Sequence, residues 1–362
     1  MTGRRRFLMI SGLTALVVGG RIPRGWAYVE RVRPRFALHF DGAQRFVSGR
    51  ALVRQGNWHG YIDHSGHLVI PLRYTDARSF SEGLAAVEEQ DKWGYINKKG
   101  DVVIPLVFDR ALDFSEGLAA VSNDQQKWGF INKSGQLIVP YQYDRVLNFK
   151  EGLAAVKRGN KWGYLNRSGR LVIPLRYDNV FSFSEGLARV KQGNSWSFID
   201  DRGRVVIGEY FLWAQPFHEG LAAANQDGLW GFINTRGHWE IGAQFHQVLR
   251  FSEGLAAVQW QSRWGYINRQ GQLVIPYQFE EAWHFSEGLA LVKQNGRWGY
   301  VDITGALVVP CQFDNAESFA EGMAPVKFQN EWGYLNRTGQ PMFPPALRLA
   351  MEQSLSDTPG DK

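Results

Sequence analysis

Eight glutamates occupy the same place in a recurring Phe-x-Glu-Gly phrase: Glu82, Glu116, Glu151, Glu185, Glu219, Glu253, Glu287 and Glu321. A carboxylate can act as general acid, base or nucleophile, but that chemistry needs one pair whose environments push their pKa values apart. Eight equivalent copies point instead to a repeated turn-capping task. Two acids stand outside the repeat pattern, Glu209 and Glu240, and they are the only residues that a carbohydrate-active enzyme could use as a unique pair. His59, His64 and His67 crowd one turn beside Asp63. Zinc wants three or four convergent ligands, and a strand-turn segment does not bring these together, so solvated turn histidines are expected. Turns of the type Asn97-Lys98-Lys99-Gly100 could offer oxygens to calcium, yet most copies hold one Asn with Lys or Arg nearby, too few ligands for a hard cation. No catalytic, metal or cofactor site is expected.

The elements that carry these residues are set by a period. Trp58, Trp93, Trp128, Trp162, Trp196, Trp230, Trp264, Trp298 and Trp332 follow one another at 34 or 35 residues. Such a period signals a repeat architecture and overrides the two or three domains that 362 residues would suggest. Each unit reads as four short strands, shown by Leu84-Ala85-Ala86-Val87, Trp93 to Asn97, Val102 to Ile104 and Phe108 to Phe114. Between the second and third, an Asx caps the turn amides and Gly in fourth place tolerates positive φ. The nine Trp residues are expected to pack in the core or between units.

Ahead of the first full unit, Phe40-Asp41-Gly42-Ala43-Gln44-Arg45-Phe46 matches the fourth-strand pattern, and the last unit stops at Met342-Phe343-Pro344-Pro345 without it. A closed ring would let the N-terminal strand complete the last unit and remove two free edges. The expected fold is therefore all-β, a closed β-propeller-like array of about nine β-meander repeats over residues 28–345, with a tail at 346–362. Nine units exceed the usual four to eight blades, and an open curved β-solenoid is the alternative.

Residues 1–27 hold five arginines and no acid, so most of the net charge of +6 belongs to this leader and the array itself is near neutral. Without a basic stripe, nucleic-acid binding is not expected. Arg4-Arg5-Arg6-Phe7-Leu8 and the weakly apolar run behind it resemble a twin-arginine export signal, with Arg4, Arg5, Phe7 and Leu8 as its marks. Its 14 apolar-run residues from Phe7 to Gly20 fall short of the roughly 20 that cross a bilayer. Cleavage after Gly20 or Ala27 would leave a periplasmic or secreted protein with no transmembrane segment. The single Cys311 excludes an internal disulfide and reads as a packed thiol.

The Trp-Gly pair, the upstream Phe-x-Glu-Gly-Leu-Ala-x-Val and the downstream Gly-x-Leu-Val-Ile-Pro together resemble the bacterial WG-repeat (KWG-repeat) family over residues 46–344. The resemblance implies a β-rich repeat with no catalytic residues attached to the motif. Two departures stand out: Trp196-Ser197 replaces Trp-Gly, and Gly208 and Gly242 replace the usual proline. Departures are where a repeat protein acquires individuality. Trp213, Trp239, Trp260 and Trp283 are extra to the period, and Arg189 replaces the usual Ala. Together they form a candidate binding face for a protein or glycan of the cell envelope. The functional expectation is an exported, non-enzymatic binding or scaffold protein.

Overall fold

The computed structural model describes residues 40–193, 195–208, 213–343 and 351. The leader, Glu209 and the tail other than Met351 lie outside these described residues. Nine four-stranded antiparallel sheets follow one another, covering 42–74, 76–108, 110–143, 145–177, 179–207, 213–245, 247–279, 281–313 and 315–343. They close into a ring, a nine-bladed β-propeller, and the open solenoid is set aside.

Sheet 2 shows how each blade is made. Its strands are Asp76–Ala77, Leu84–Glu89, Lys92–Asn97 and Val102–Phe108. Leu84 to Val87 are all buried, because this strand lies inside the sheet between two faces of neighbouring blades. The turn into it, Ser81-Glu82-Gly83-Leu84, closes with hydrogen bonds in both directions between Ser81 and Leu84, at 2.8 and 3.1 Å. Both central residues have positive φ, 52° for Glu82 and 91° for Gly83, which makes it a type I′ hairpin turn. Between the third and fourth strands, Asn97 Oδ1 accepts from the backbone N–H groups of Lys99 and Asp101 at 2.9 and 3.0 Å. The turn's oxygen is thus spent on its own amides, as the sequence predicts.

The fourth strand is an edge, and its Pro105 is exposed. Proline has no N–H to offer and blunts an edge against further pairing. The glycine of Trp-Gly is required by the crossing of the third and fourth strands. A Cβ on Gly163 would lie 2.4 Å from the Ile173 carbonyl oxygen, so no side chain fits there.

At seven of the eight junctions one residue links a fourth strand to the first strand of the following sheet, as Asp109 does between Phe108 and Arg110. The last strand of each sequence unit therefore belongs to the next sheet. Closure follows from this shift in a way that departs from the sequence expectation. Gly42–Val47 does not complete the last sheet; it pairs with Arg50–Gln55 in its own. The seam is closed by packing. Eight aromatic pairs join successive sheets with centroids 4.7–5.1 Å apart, from Tyr61–Phe80 to Tyr300–Phe319. The ninth, Tyr334–Phe46 at 5.1 Å, joins the last sheet to the first. Tyr334 Oη also donates to the Gln44 carbonyl at 2.7 Å, as Tyr95 Oη does to Leu112 one unit on.

Candidate functional site

The eight glutamates do cap turns, but not their own. Each carboxylate accepts the backbone N–H of the turn glycine in the next unit, at 2.8–3.1 Å, from Glu82 on Gly117 to Glu287 on Gly322. Glu321 continues the series across the seam to Gly49 at 2.8 Å. Burial pushes the Glu82 carboxyl up, but Lys133 and the Gly117 and Glu116 N–H groups outweigh it and hold it below the usual range. Charge-assisted bonds to backbone are the strong kind, and they explain a Glu in a φ > 0 position that Asn or Gly would occupy more easily. The ninth equivalent position is Ser48, also at positive φ. There Arg50, in place of the usual Leu, donates to the Lys98 carbonyl at 3.3 Å from both Nε and Nη2.

The expected packing of the period Trp residues holds for Trp93, Trp162, Trp264, Trp298 and Trp332, all buried. Trp128, Trp196 and Trp230 are half-buried. Trp58 departs from it at 49% exposed, because in sheet 1 it stands at the tip of the hairpin.

The candidate residues fall into separate neighbourhoods. Arg189 and Trp213 meet: the guanidinium is 3% exposed and sits 3.8 Å from the Phe181 ring, 4.4 Å from Trp196 and 4.3 Å from Trp213. Burial pulls its pKa down to about 10, and its Nε and Nη1 have no hydrogen-bond partner. Trp239 packs, half-buried, against the apolar core shared by sheets 5 and 6. Trp260 stacks on His246 with centroids 5.0 Å apart. Trp283, 47% exposed, lines a pocket with Arg45, His284, Leu291, Ala316, Glu317 and Ser318. Of the sequence candidates, only Trp283 opens into this cavity. Its partners were missed, although Leu291 in place of Ala was a visible signal.

The other chemistry-bearing residues also separate. His64 Nε2 faces Glu321 at 3.3 Å and stacks on Phe46, His67 Nδ1 faces Asp63 at 3.5 Å, and His59 Nδ1 is buried without a partner. Among the described residues no cluster of His, Cys, Asp or Glu is arranged to hold a metal ion. Glu240 is exposed and accepts from Asn234 Nδ2 at 2.7 Å. Its proposed companion Glu209 lies outside the described residues. Cys311 is half-buried, with burial pushing its thiol up. Among the described residues no helix is long and apolar enough to cross a membrane.

The profile of the WG containing repeat matches eight tandem stretches, 60–93, 93–126, 128–162, 162–196, 196–230, 230–259, 264–298 and 298–331. The chain belongs to this family. Its Trp-Gly pair is the strand crossing described above, and its Phe-x-Glu-Gly is the inter-blade carboxylate link. No curated protein matches the chain. Among solved structures it is similar to a eukaryotic initiation factor, with 13% identity, a TM-score of 0.59 and coverage of 82% of this chain and 95% of that one. It is also similar to BamB from Moraxella catarrhalis, at 10% identity and a TM-score of 0.41, covering 75% and 96%. The likeness to the initiation factor concerns the fold alone.

Proposed function

We propose that this WG-repeat protein is an exported, non-enzymatic binding or scaffold protein of a bacterial cell envelope, holding a protein or glycan partner on a rigid ring. The observation that carries this reading is the use made of the repeated acids. All eight are committed to backbone N–H groups of neighbouring blades, so the residues that look reactive serve the frame. What remains individual is a set of exposed aromatic surfaces, Trp58, Trp213, Trp260 and Trp283, each 40–49% exposed. Half-exposed indoles are the usual anchors of binding faces. Export rests on the leader, where Arg4, Arg5, Phe7 and Leu8 supply the twin-arginine pattern.

The test is retention of envelope components by the full-length protein and by a Trp213→Ala, Trp260→Ala, Trp283→Ala variant whose melting temperature matches the parent. A partner kept by the parent and lost by the variant supports the reading. Equal retention moves the contact off these indoles. Export is tested by fractionating cells that carry Arg4→Lys, Arg5→Lys: the protein should accumulate in the cytoplasm, and unchanged export removes that part of the proposal. The enzymatic alternative needs Glu240. Turnover of an envelope saccharide abolished by Glu240→Gln would replace the binding reading.

A further inference from the structure

The pocket beside Trp283 is built on an offset that every blade repeats between its first two strands, filled here by unusual side chains. In seven sheets the first strand is two residues long, as in Arg110–Ala111. In sheets 1 and 8 it runs for six residues, Gly42–Val47 and Glu281–Ser286. Both carry a β-bulge at the place where the other sheets show the same one-residue offset, as between Ala77–Val87 and Ser81–Leu84. Ala282 pairs with Val292 and Phe285 with Ala290, which sets Trp283 and His284 together opposite the single Leu291. Ala43 pairs with Val53 and Phe46 with Ala51, which sets Gln44 and Arg45 opposite Leu52. A bulge re-aims the side chains it carries. Three of the four bulged residues, Trp283, His284 and Arg45, line one cavity of about 320 Å³ that spans sheets 8, 9 and 1. Sheet 9, between them, contributes Glu317 and Ser318.

The lining defines a ligand. Trp283 offers a half-exposed indole face, the surface on which the C–H face of a sugar ring stacks. Ser318 and Glu317 offer a hydroxyl and a carboxylate for ring hydroxyls. Arg45 Nε stands 3.8 Å from Glu317 Oε2, with both side chains 40% or more exposed, a loose pair that leaves the guanidinium fork open. Arg250 Nη2 reaches His284 Nε2 at 3.4 Å. Arginine can only donate, so His284 accepts there as a neutral ring with its proton on Nδ1. Among the described residues Arg250 has no carboxylate within ion-pair distance. Glu317 is thus the one carboxylate of the cavity lining, while two guanidinium groups act on His284 in its wall, Arg45 from within the lining and Arg250 from outside it.

We infer that this cavity is a binding site for an acidic saccharide, a sugar ring stacked on Trp283 with its carboxylate held by Arg45 at the closing seam of the ring. This deepens the binding function proposed above and rests on it. A uronate fits because its carboxylate stands one bond from its ring, so one residue can read each part. A neutral sugar would leave the Arg45 fork open, and inorganic phosphate would leave the indole bare.

The experiment is calorimetric titration of the full-length protein with trigalacturonate, with neutral galactotriose and inorganic phosphate as comparisons. Binding of the uronate, weakened about tenfold or more by Trp283→Ala and separately by Arg45→Gln, is the expected result. Rising ionic strength should weaken uronate binding in the parent and do so less in Arg45→Gln. Because Arg45 lies at the seam, melting curves of each variant accompany the titration, and Ser318→Ala, which removes a single hydroxyl from the lining, gives a second test with a smaller loss. Absence of uronate binding at millimolar concentration overturns the inference, as does binding that neither Trp283→Ala nor Arg45→Gln alters. Equal affinity for galactotriose overturns the acidic specificity, and phosphate displacing the uronate completely marks a bare anion site and overturns it too. If the uronate fails while an envelope partner is still retained through the exposed indoles, this site falls and the binding reading stands.

Discussion

Sheets 4 and 5 adjoin and differ in one decisive respect. In sheet 4, Gly163 lets the seven-residue strand Leu171–Tyr177 cross the Trp162 strand at backbone contact. Ser197 holds the same place in sheet 5, and the fourth strand there runs only from Val205 to Ile207 within the described residues. Sheet 5 also carries Arg189 between three aromatic rings, where sheet 4 has Ala155. The pair teaches that the Trp-Gly motif is a rule about one interatomic distance. Blade 5 keeps its links to both neighbours, since Glu151 and Glu185 still bind their turns. The ring tolerates damage inside a blade as long as the ties between blades persist.

The sharpest way to break the comparison is to place a side chain where sheet 4 forbids one. Gly163→Val should cost about 3 kcal/mol or more, because its Cβ meets backbone that cannot move aside. Chemical denaturation would show this, whereas Ser197→Gly in sheet 5 should cost less than about 1 kcal/mol; similar losses in both would remove the steric account. Next in size comes the tie itself. Glu151 accepts from the Glu185 and Gly186 N–H groups at 2.6 and 2.9 Å, and Glu151→Ala should lower stability by about 1–2 kcal/mol. Glu151→Gln, keeping an acceptor, should recover part of that loss, and hydrogen exchange at Gly186 should report the freed amide.

Acid offers a third contrast, between regular blades and the seam. Burial, then the fields of Arg250, Arg45 and His218, holds the His284 pKa down to about 4. A depressed histidine stays neutral in the fold while the unfolded chain takes up its proton. Its contribution is therefore complete above about pH 6.5 and is lost as pH falls toward 4. The ring is part-exposed, so the loss should be about 1 kcal/mol, well below a full conversion of the shift. His284→Gln should flatten the stability profile by that amount over this window, and an unchanged slope would refute the placement. The smallest effect concerns Arg189→Ala, which gives sheet 5 the residue of its neighbours. Lost cation–π contact and relieved desolvation nearly offset each other, so the change should stay within about 1 kcal/mol. A loss above about 3 kcal/mol would show that the guanidinium anchors the blade.

Much of the frame was readable from the chain. The Trp spacing gives nine units, and the Asn-x-x-Gly turn sits where its chemistry requires. The sheet boundaries were not readable, because the single residue between Phe108 and Arg110 leaves no turn to mark where one sheet ends. Glu82 looked like a local cap, since nothing in Phe-Ser-Glu-Gly reveals that its partner is Gly117, 35 residues away. The divergent Trp residues were identifiable individually but not as groups. Trp260 stands at a hairpin tip, while Trp283 sits in a bulge and shares its cavity with Arg45 from the far end of the chain. Composition flags such residues, but register decides which of them meet.

Because every sheet is cut from continuous sequence and none borrows a strand, the joint between residues 343 and 40 is chemically one joint among nine. Copy number is thus open to evolutionary drift: gene duplication or loss of one 34-residue module adds or removes a whole blade with its own carboxylate and its own receiving amide. Such a ring can be resized without redesigning its clasp.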